Sequence, residues 1–293
     1  MTPHPAQRFS VASAIQKGVP LKDLMDRPLV KLIAESLADV VPGFDVKQFQ
    51  SRALRGLKNL ELKERALHIA RAMAEQLPSE FDETAPLLIQ TFGPPLVSTA
   101  DNGLAPFFYF PHAHLIAVYG VSRFDAGMRA NYEITQRFTA EFSIRPFLVE
   151  HRAKCLKTLT RWTRDPSPHV RRLVSEGTRP RLPWAMRLRE FQENPQFTLP
   201  LLEKLKDDPE LYVRRSVANH LGDIAKDHPQ VAFDVCRKWL EEIATSDDPS
   251  QARNRRWIVR HALRHPAKKG EPRAVALRKA AADPVFTGGN RGN

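Results

Sequence analysis

Apolar residues recur along most of the chain at the three- and four-residue steps of a single helix face. Leu29, Leu32, Ile33, Leu37, Val40 and Val41 form one such stripe, and Leu67, Ala70, Met73 and Leu77 form another. Strand-like alternation is hard to find, so the pattern predicts an all-α protein. Caps and breakers punctuate the stripes. Asp45 stands three residues before Gln48, the spacing of a capping box, and Asp125 is placed to open a segment that runs through Phe142. Pro42-Gly43, Pro78 and Gly177 mark helix ends. Between Phe92 and Pro111, four prolines and Asn102-Gly103 predict an irregular connection.

The second half repeats itself. Asp165-Pro166 is followed by Val170-Arg171-Arg172-Leu173-Val174, and Asp208-Pro209 by Val213-Arg214-Arg215-Ser216-Val217, both displaced by 43 residues. A weaker third copy, Asp248-Pro249 with Arg255-Arg256-Trp257-Ile258, follows 40 or 41 residues later. That period is the one at which HEAT and armadillo repeats stack helix pairs into a superhelix with a concave face. A proline after aspartate suits a first helical turn, where its missing N–H costs little. Each copy then opens its inner helix with paired arginines, which places Arg172, Arg215 and Arg256 as candidates for holding a polyanion. Pairing with the acids of residues 201–250 is the competing use for these arginines.

Charge sharpens the picture. The net charge of +12 resides entirely in the C-terminal half: residues 1–150 are neutral, 151–200 carry +7, 201–250 carry −4 and 251–293 carry +9. Clustered arginine and lysine attract polyanions, of which nucleic acid is the commonest for a protein of this composition. No apolar run is long enough to suggest a membrane span, and a cytoplasmic protein is expected. Cys155 and Cys236 belong to no ligand pair and read as buried thiols. His112 and His114 come closest to a metal pair, but residues two apart do not face one another on a helix, and they read as capping or surface histidines. Phosphate-loop, dinucleotide, zinc-protease and serine-hydrolase signatures are missing, so no cofactor or metal is implied.

Three acids remain as candidates for chemistry. Glu141 lies between Phe138 and Phe142, Glu176 falls within the basic stretch Arg171 to Arg189, and Asp223 follows Asn219-His220-Leu221-Gly222. Carboxylates on a nucleic-acid face repel phosphate, so each either pairs with arginine or serves a cationic centre. Departure of a base from deoxyribose develops such a centre, which carboxylates stabilise while one also directs water.

Several strings carry a family resemblance: Leu21-Lys-Asp-Leu24, the segment Leu60 to Leu77, Ile134 to Phe147, Tyr212 to Asp223 and, most specifically, Ser175-Glu-Gly-Thr-Arg-Pro-Arg-Leu-Pro-Trp184. Over Leu21 to Pro266 the chain resembles the AlkC branch of the AlkC/AlkD DNA glycosylases. The resemblance implies a right-handed, C-shaped superhelix of HEAT-like repeats with a basic concave face that grips duplex DNA containing alkylated bases. It implies monofunctional hydrolysis of the glycosidic bond of N3-methyladenine, and in some members N3-methylcytosine, without base flipping. It also implies roles for individual residues. Glu141 and Glu176 approach the deoxyribose, Asp223 helps to place water, Trp184 lies against the lesion, and Arg172 and Arg179 hold flanking phosphates. Arg181, in the same motif, joins the DNA-binding set. Some relatives end in an immunoglobulin-like β domain, which the sequence through Asn293 does not contain. The expected organisation is an arm at 1–20, one glycosylase domain at 21–282 and a flexible tail at 283–293. A nucleoid-associated monomer without an obligatory protein partner follows. The competing class is a non-catalytic solenoid that binds nucleic acid or protein; the three acids in matching motifs distinguish the two.

Overall fold

The structure, a computed structural model, describes residues 2–282; the expected tail at 283–293 lies outside the described residues. Sixteen α-helices joined by short 3₁₀ turns make up the described chain, with no strand among the described residues. None of its helices is long and apolar enough to cross a membrane. Packing divides the chain into two compact units whose boundary, between residues 156 and 157, falls inside α8 (Arg152–Trp162).

The first unit contains α1 (Arg27–Ala38), α2 (Val46–Leu54), α3 (Leu62–Ala74), α4 (Phe81–Gln90), α5 (Phe110–Tyr119), α6 (Phe124–Thr135) and α7 (Ile144–Glu150). The predicted stripes face inward: Leu29, Ile33, Leu37, Ala70 and Met73 are fully buried, and α3 packs on α5 as α4 packs on α6. Asp45 caps α2 by accepting from the Gln48 amide at 2.9 Å. The box is not closed by Gln48, because Gln76 Oε1 takes the Asp45 amide instead at 2.7 Å. Asp125 lies in the first turn of α6 and not at its cap, and the helix stops at Thr135, so Gln136 to Ser143 form a loop. Gly127 permits that helix to pass Phe147, since a Cβ there would stand 2.4 Å from the ring.

His112 and His114 depart from the surface expectation. His112 is fully buried among Phe92, Phe108 and Tyr109, and burial lowers its pKa to about 3; His114 is lowered to about 4 for the same reason. Neutral imidazoles thus serve there as aromatic packing. Residues 2–20 lie against the unit through Phe9, whose ring meets Phe108 at 6.2 Å, and through an Arg8–Glu35 ion pair.

The second unit contains α9 (Pro168–Gly177), α10 (Arg189–Glu193), α11 (Leu199–Leu205), α12 (Leu211–Asp227), α13 (Pro229–Ala244), α14 (Pro249–Ala262), α15 (Arg264–Lys268) and α16 (Pro272–Ala280). Helices α9, α12 and α14 pack side by side as one row, and α11 and α13 pack against it, which is the helix-pair stacking of a HEAT-like repeat. The Asp-Pro pairs work differently from expectation in the first two copies. Pro166 and Pro209 precede their helices, and Asp165 and Asp208 each close a turn by accepting the amide two residues on, at 2.9 Å; only Pro249 occupies a first turn, behind its cap Asp248. Cys155 and Cys236 are buried free thiols, pushed by burial up to about 12. Trp239 is buried and donates to Glu203 at 2.8 Å, and Trp257 stacks on His261 at 4.9 Å, so both serve packing.

Candidate active site

The row of helices in the second unit sorts the paired arginines by role. Arg171 returns to its own Asp-Pro turn, donating to the carbonyls of Asp165 at 2.8 Å and Pro166 at 3.0 Å; Arg214 does the same to Asp208 at 2.7 Å and Pro209 at 2.6 Å. Arg171 also clasps Asp208 with two hydrogen bonds, and Arg255 clasps Asp207 likewise. The first arginine of each pair is therefore spent on the repeat itself. The second points elsewhere: Arg172 lies over the Tyr212 ring at 5.2 Å and within 3.4 Å of Glu176, while Arg215 is exposed. Arg256 is half-buried.

Glu176, in the last turn of α9, and Asp223, on the facing side of α12, are brought together by one guanidinium. Arg179 donates through Nη1 to Glu176 Oε1 at 2.7 Å and through Nε to Asp223 Oδ2 at 2.8 Å. The three residues are only 6 %, 2 % and 8 % exposed for Glu176, Asp223 and Arg179, so their mutual attraction is little screened by water. Ser216 donates to the other Glu176 oxygen at 2.6 Å, and Lys226 to Asp223 Oδ1 at 2.9 Å. Burial pushes the Glu176 carboxyl up. Arg172, Arg179 and the Ser216 hydroxyl outweigh that push and hold it below the ordinary glutamate value, so it is a carboxylate at neutral pH. His220, fully buried beside them, is lowered by burial to about 4 and anchored by its Nδ1 to the Ser175 carbonyl at 3.0 Å. The cluster thus brings two buried carboxylates together on one guanidinium, and carboxylates so fixed can act on a cation formed next to them.

The loop after α9 carries the rest of the motif. Arg181 forms a two-bond clasp on Asp227, and Leu182 and Leu188 are buried, which pins both ends of the turn. Trp184 between them is 64 % exposed with φ at +64°. A bulky residue in the left-handed region costs about 1–2 kcal/mol, so the turn holds this indole outward against a local conformational preference.

Glu141 belongs to the first unit, in the loop before α7. Thr139 Oγ1 lies 3.0 Å from its Oε2, and Phe138 and Phe142, its flanking aromatics, both pack on Phe110. Ser143 reaches back to Asn131 at 2.6 Å and Arg137 to Glu133 at 2.9 Å, which fixes the loop from both sides.

No family model matches the chain. Among curated proteins, the uncharacterized YhaZ of Bacillus subtilis (strain 168) is 33 % identical over 258 residues, which cover 88 % of this chain and 67 % of the relative. Among solved structures, the alkylpurine DNA glycosylase AlkC of Pseudomonas fluorescens, bound to DNA containing an abasic-site analogue, is 36 % identical with a TM-score of 0.77 over 90 % of this chain and 69 % of that one. The chain belongs to the AlkC family. AlkD2 of Streptococcus mutans, at 18 % identity and a TM-score of 0.40, is too distant to bear on either fold or site.

Within the AlkC framework, several polar contributors to the site have no signature of their own in the sequence. Ser216 and Lys226 complete the shells of Glu176 and Asp223. Asn219 Oδ1 is 3.2 Å from His261 Nε2 and accepts from Arg264 at 3.0 Å, which brings a further cation to the end of the row. The signal that could have found Ser216 and Asn219 is the repeat period itself, because a residue one period downstream lies on the neighbouring helix.

Proposed function

We propose that this chain is a DNA glycosylase of alkylation repair, hydrolysing the bond between a cationic alkylated base and deoxyribose in duplex DNA. The observation that carries this reading is the pair of buried carboxylates, Glu176 and Asp223, held by Arg179, in the same motif as an exposed, conformationally strained Trp184. A pure binding module has no use for carboxylates gathered on a basic face.

N3-alkylation leaves adenine positively charged. When the C1′–N bond breaks, its electron pair goes to the base, which departs neutral and needs no general acid. The sugar takes up oxocarbenium character, which Glu176 and Glu141 stabilise. Asp223 orients the water whose oxygen bonds to C1′ and whose proton passes to solvent. Trp184 lies against the lesion nucleotide, and no flipped-base pocket is required. N3-methyladenine is a substrate on this reading, and N3-methylcytosine, which some relatives accept, is the further cationic lesion to try. Neutral lesions such as uracil leave as anions and are not released, since each 1.36 kcal/mol of stabilisation is only about a tenfold rate factor. Reaction ends at the abasic site, without strand cleavage.

Arg172, Arg215 and Arg256 take the phosphates. Arg179 and Arg181 reach phosphate only by leaving Glu176, Asp223 and Asp227. The protein acts as a monomer in the cytoplasm, on nucleoid DNA. The deciding experiment incubates purified protein with methylated duplex DNA and separates released bases by chromatography. Release of 3-methyladenine is the expected result; tight duplex binding without release of any base would make the protein a non-catalytic solenoid.

A further inference from the structure

Beside Asp223, the last turns of α12 and the residues following α14 enclose a cleft of about 450 Å³ lined by Gly222, Ala225, Lys226, His265, Pro266 and Lys269. Its floor is small by necessity. A Cβ on Gly222 would stand 3.1 Å from the Ala262 carbonyl oxygen, so α12 and α14 meet there too closely for a larger side chain, and Ala225 adds only a methyl.

The rim is cationic. His265 and Lys269 are exposed, and the Lys226 side chain is 53 % exposed while its Nζ donates to Asp223 Oδ1 at 2.9 Å. Arg264, at the cleft's edge, is held by the His261 carbonyl at 2.6 Å and by Asn219 at 3.0 Å, neither of which carries a negative charge. Burial first, and then Arg264, Lys226, Lys268 and Lys269, hold the His265 imidazole below its ordinary pKa, as expected where cations crowd one another. Asp223, already shared with Arg179, is the acid that meets this group.

We propose that this cleft takes one phosphodiester of the DNA backbone, held by Lys226, His265 and Lys269, and that Lys226 passes from Asp223 to that phosphate as DNA binds. The inference rests on the duplex substrate and on the role given to Asp223 above. Lysine suits both parts of it, because its ammonium is a point charge on a flexible stem and can exchange one anion for another without matching a plane. The Lys226 ammonium is on a half-exposed side chain, so it can turn from the buried Asp223 to a phosphate in the cleft, and the ion pair gained offsets the one given up. After the exchange, Arg179 still holds Asp223 Oδ2, and Oδ1 is available to water. Engagement of the backbone and readiness of the acid are then one event.

The test uses the full chain and duplexes with a single cationic alkylated base or its abasic analogue, in which each phosphodiester near the lesion is replaced in turn by a neutral methylphosphonate. Wild-type protein is expected to lose affinity several-fold at one position. Lys269→Gln should lower the salt slope of binding by about one unit and lose less than wild type at that same position. If the variant loses as much there as wild type does, the cleft is not the phosphate site. Single-turnover excision at saturating enzyme tests the exchange. The same methylphosphonate should slow wild type, whereas Lys226→Gln should excise at equal rates from both duplexes. Equal wild-type rates on the two duplexes would overturn it. Absence of excision from any duplex would instead remove the glycosylase reading, and the affinity map would still decide on the cleft.

Discussion

Forty-three residues separate two copies of one scaffold, and among the positions at which they differ one bears directly on the site. Asp165 and Asp208 close the same turn, and Arg171 and Arg214 return to the same pair of carbonyls. Four residues beyond the second arginine the first copy has Glu176 and the second Asn219. Both reach the next helical elements: Glu176 meets Ser216 on α12, and Asn219 meets His261 at the end of α14 and Arg264 at the start of α15. The carboxylate gathers cations and is held in its charged form by them. The amide holds one cation, Arg264, and leaves its charge intact beside His261, whose imidazole burial lowers to about 4. The same backbone position thus yields an acid site in one copy and an anion-attracting edge in the next, and the comparison can be attacked at each of these residues.

Removing the central cation should do the most damage. Arg179→Gln leaves two buried carboxylates, Glu176 and Asp223, without the guanidinium between them, and breaking a buried pair of this kind costs about 3–5 kcal/mol. Arg264→Gln, the counterpart whose hydrogen bonds go to neutral acceptors, should cost about 1 kcal/mol. Urea unfolding of the two variants measures the difference, and equal losses would mean that the charge at 176 has no special standing.

Glu176→Gln comes next. It keeps the shape and most of the hydrogen bonds but removes the charge that stabilises the sugar cation, so single-turnover excision should fall by at least about tenfold while duplex binding holds. The same variant has a pH signature. Glu176 titrates lower in the folded chain than its ordinary 4.5, so its contribution to stability is present above that value and is lost as pH falls through the folded one. Wild type should therefore lose more stability than Glu176→Gln on acidification below 4.5. Parallel curves would show that Glu176 gains nothing from its cations, and unchanged excision would remove it from the mechanism.

Much of this contrast was legible in the sequence. The 43-residue period, the helical stripes and the charge imbalance came from side-chain chemistry that acts locally, and family motifs picked out Glu176, Asp223 and Trp184. What could not be read was how arginines divide their allegiance. Arg171 and Arg172 are adjacent and chemically identical, yet one closes its own turn and the other covers Tyr212, because successive residues on a helix point about 100° apart and meet different neighbours. His112 was misread for a related reason: nothing local distinguishes a surface imidazole from one buried by Phe92 and Phe108. The cap at Asp45 was visible, but its reciprocal partner, Gln76, comes from another helix.

The two turn-closing arginines offer a smaller test of whether the copies are equally built. Arg171 adds a two-bond clasp on Asp208 to its carbonyl contacts, whereas Arg214 holds carbonyls alone, and burial lowers its pKa. Arg171→Gln should cost about 1.5–3 kcal/mol and Arg214→Gln about 1 kcal/mol, since hydrogen bonds between charged partners are the stronger class. Thermal unfolding ranks them. A larger loss at 214 would place the main inter-repeat tie somewhere other than the Arg171–Asp208 pair.

The mildest change is expected at Arg215, and it isolates the phosphate term from everything else. This side chain is exposed and occupies the position that Arg172 holds in the preceding copy, without a carboxylate four residues on. Arg215→Gln should leave stability within about 0.5 kcal/mol of wild type, as surface changes away from structural contacts do. It should lower the salt slope of duplex binding by about one unit, equally for damaged and undamaged DNA, because a backbone contact releases counterions regardless of sequence or lesion. Arg172→Gln should lower the slope by the same amount and also slow excision at saturating enzyme, since it withdraws one of the cations that hold Glu176 in its charged form. Salt titrations paired with single-turnover rates separate the two arginines. If Arg215→Gln slows excision as Arg172→Gln does, the copies are not divided between chemistry and grip, and the single carboxylate at 176 does not distinguish them.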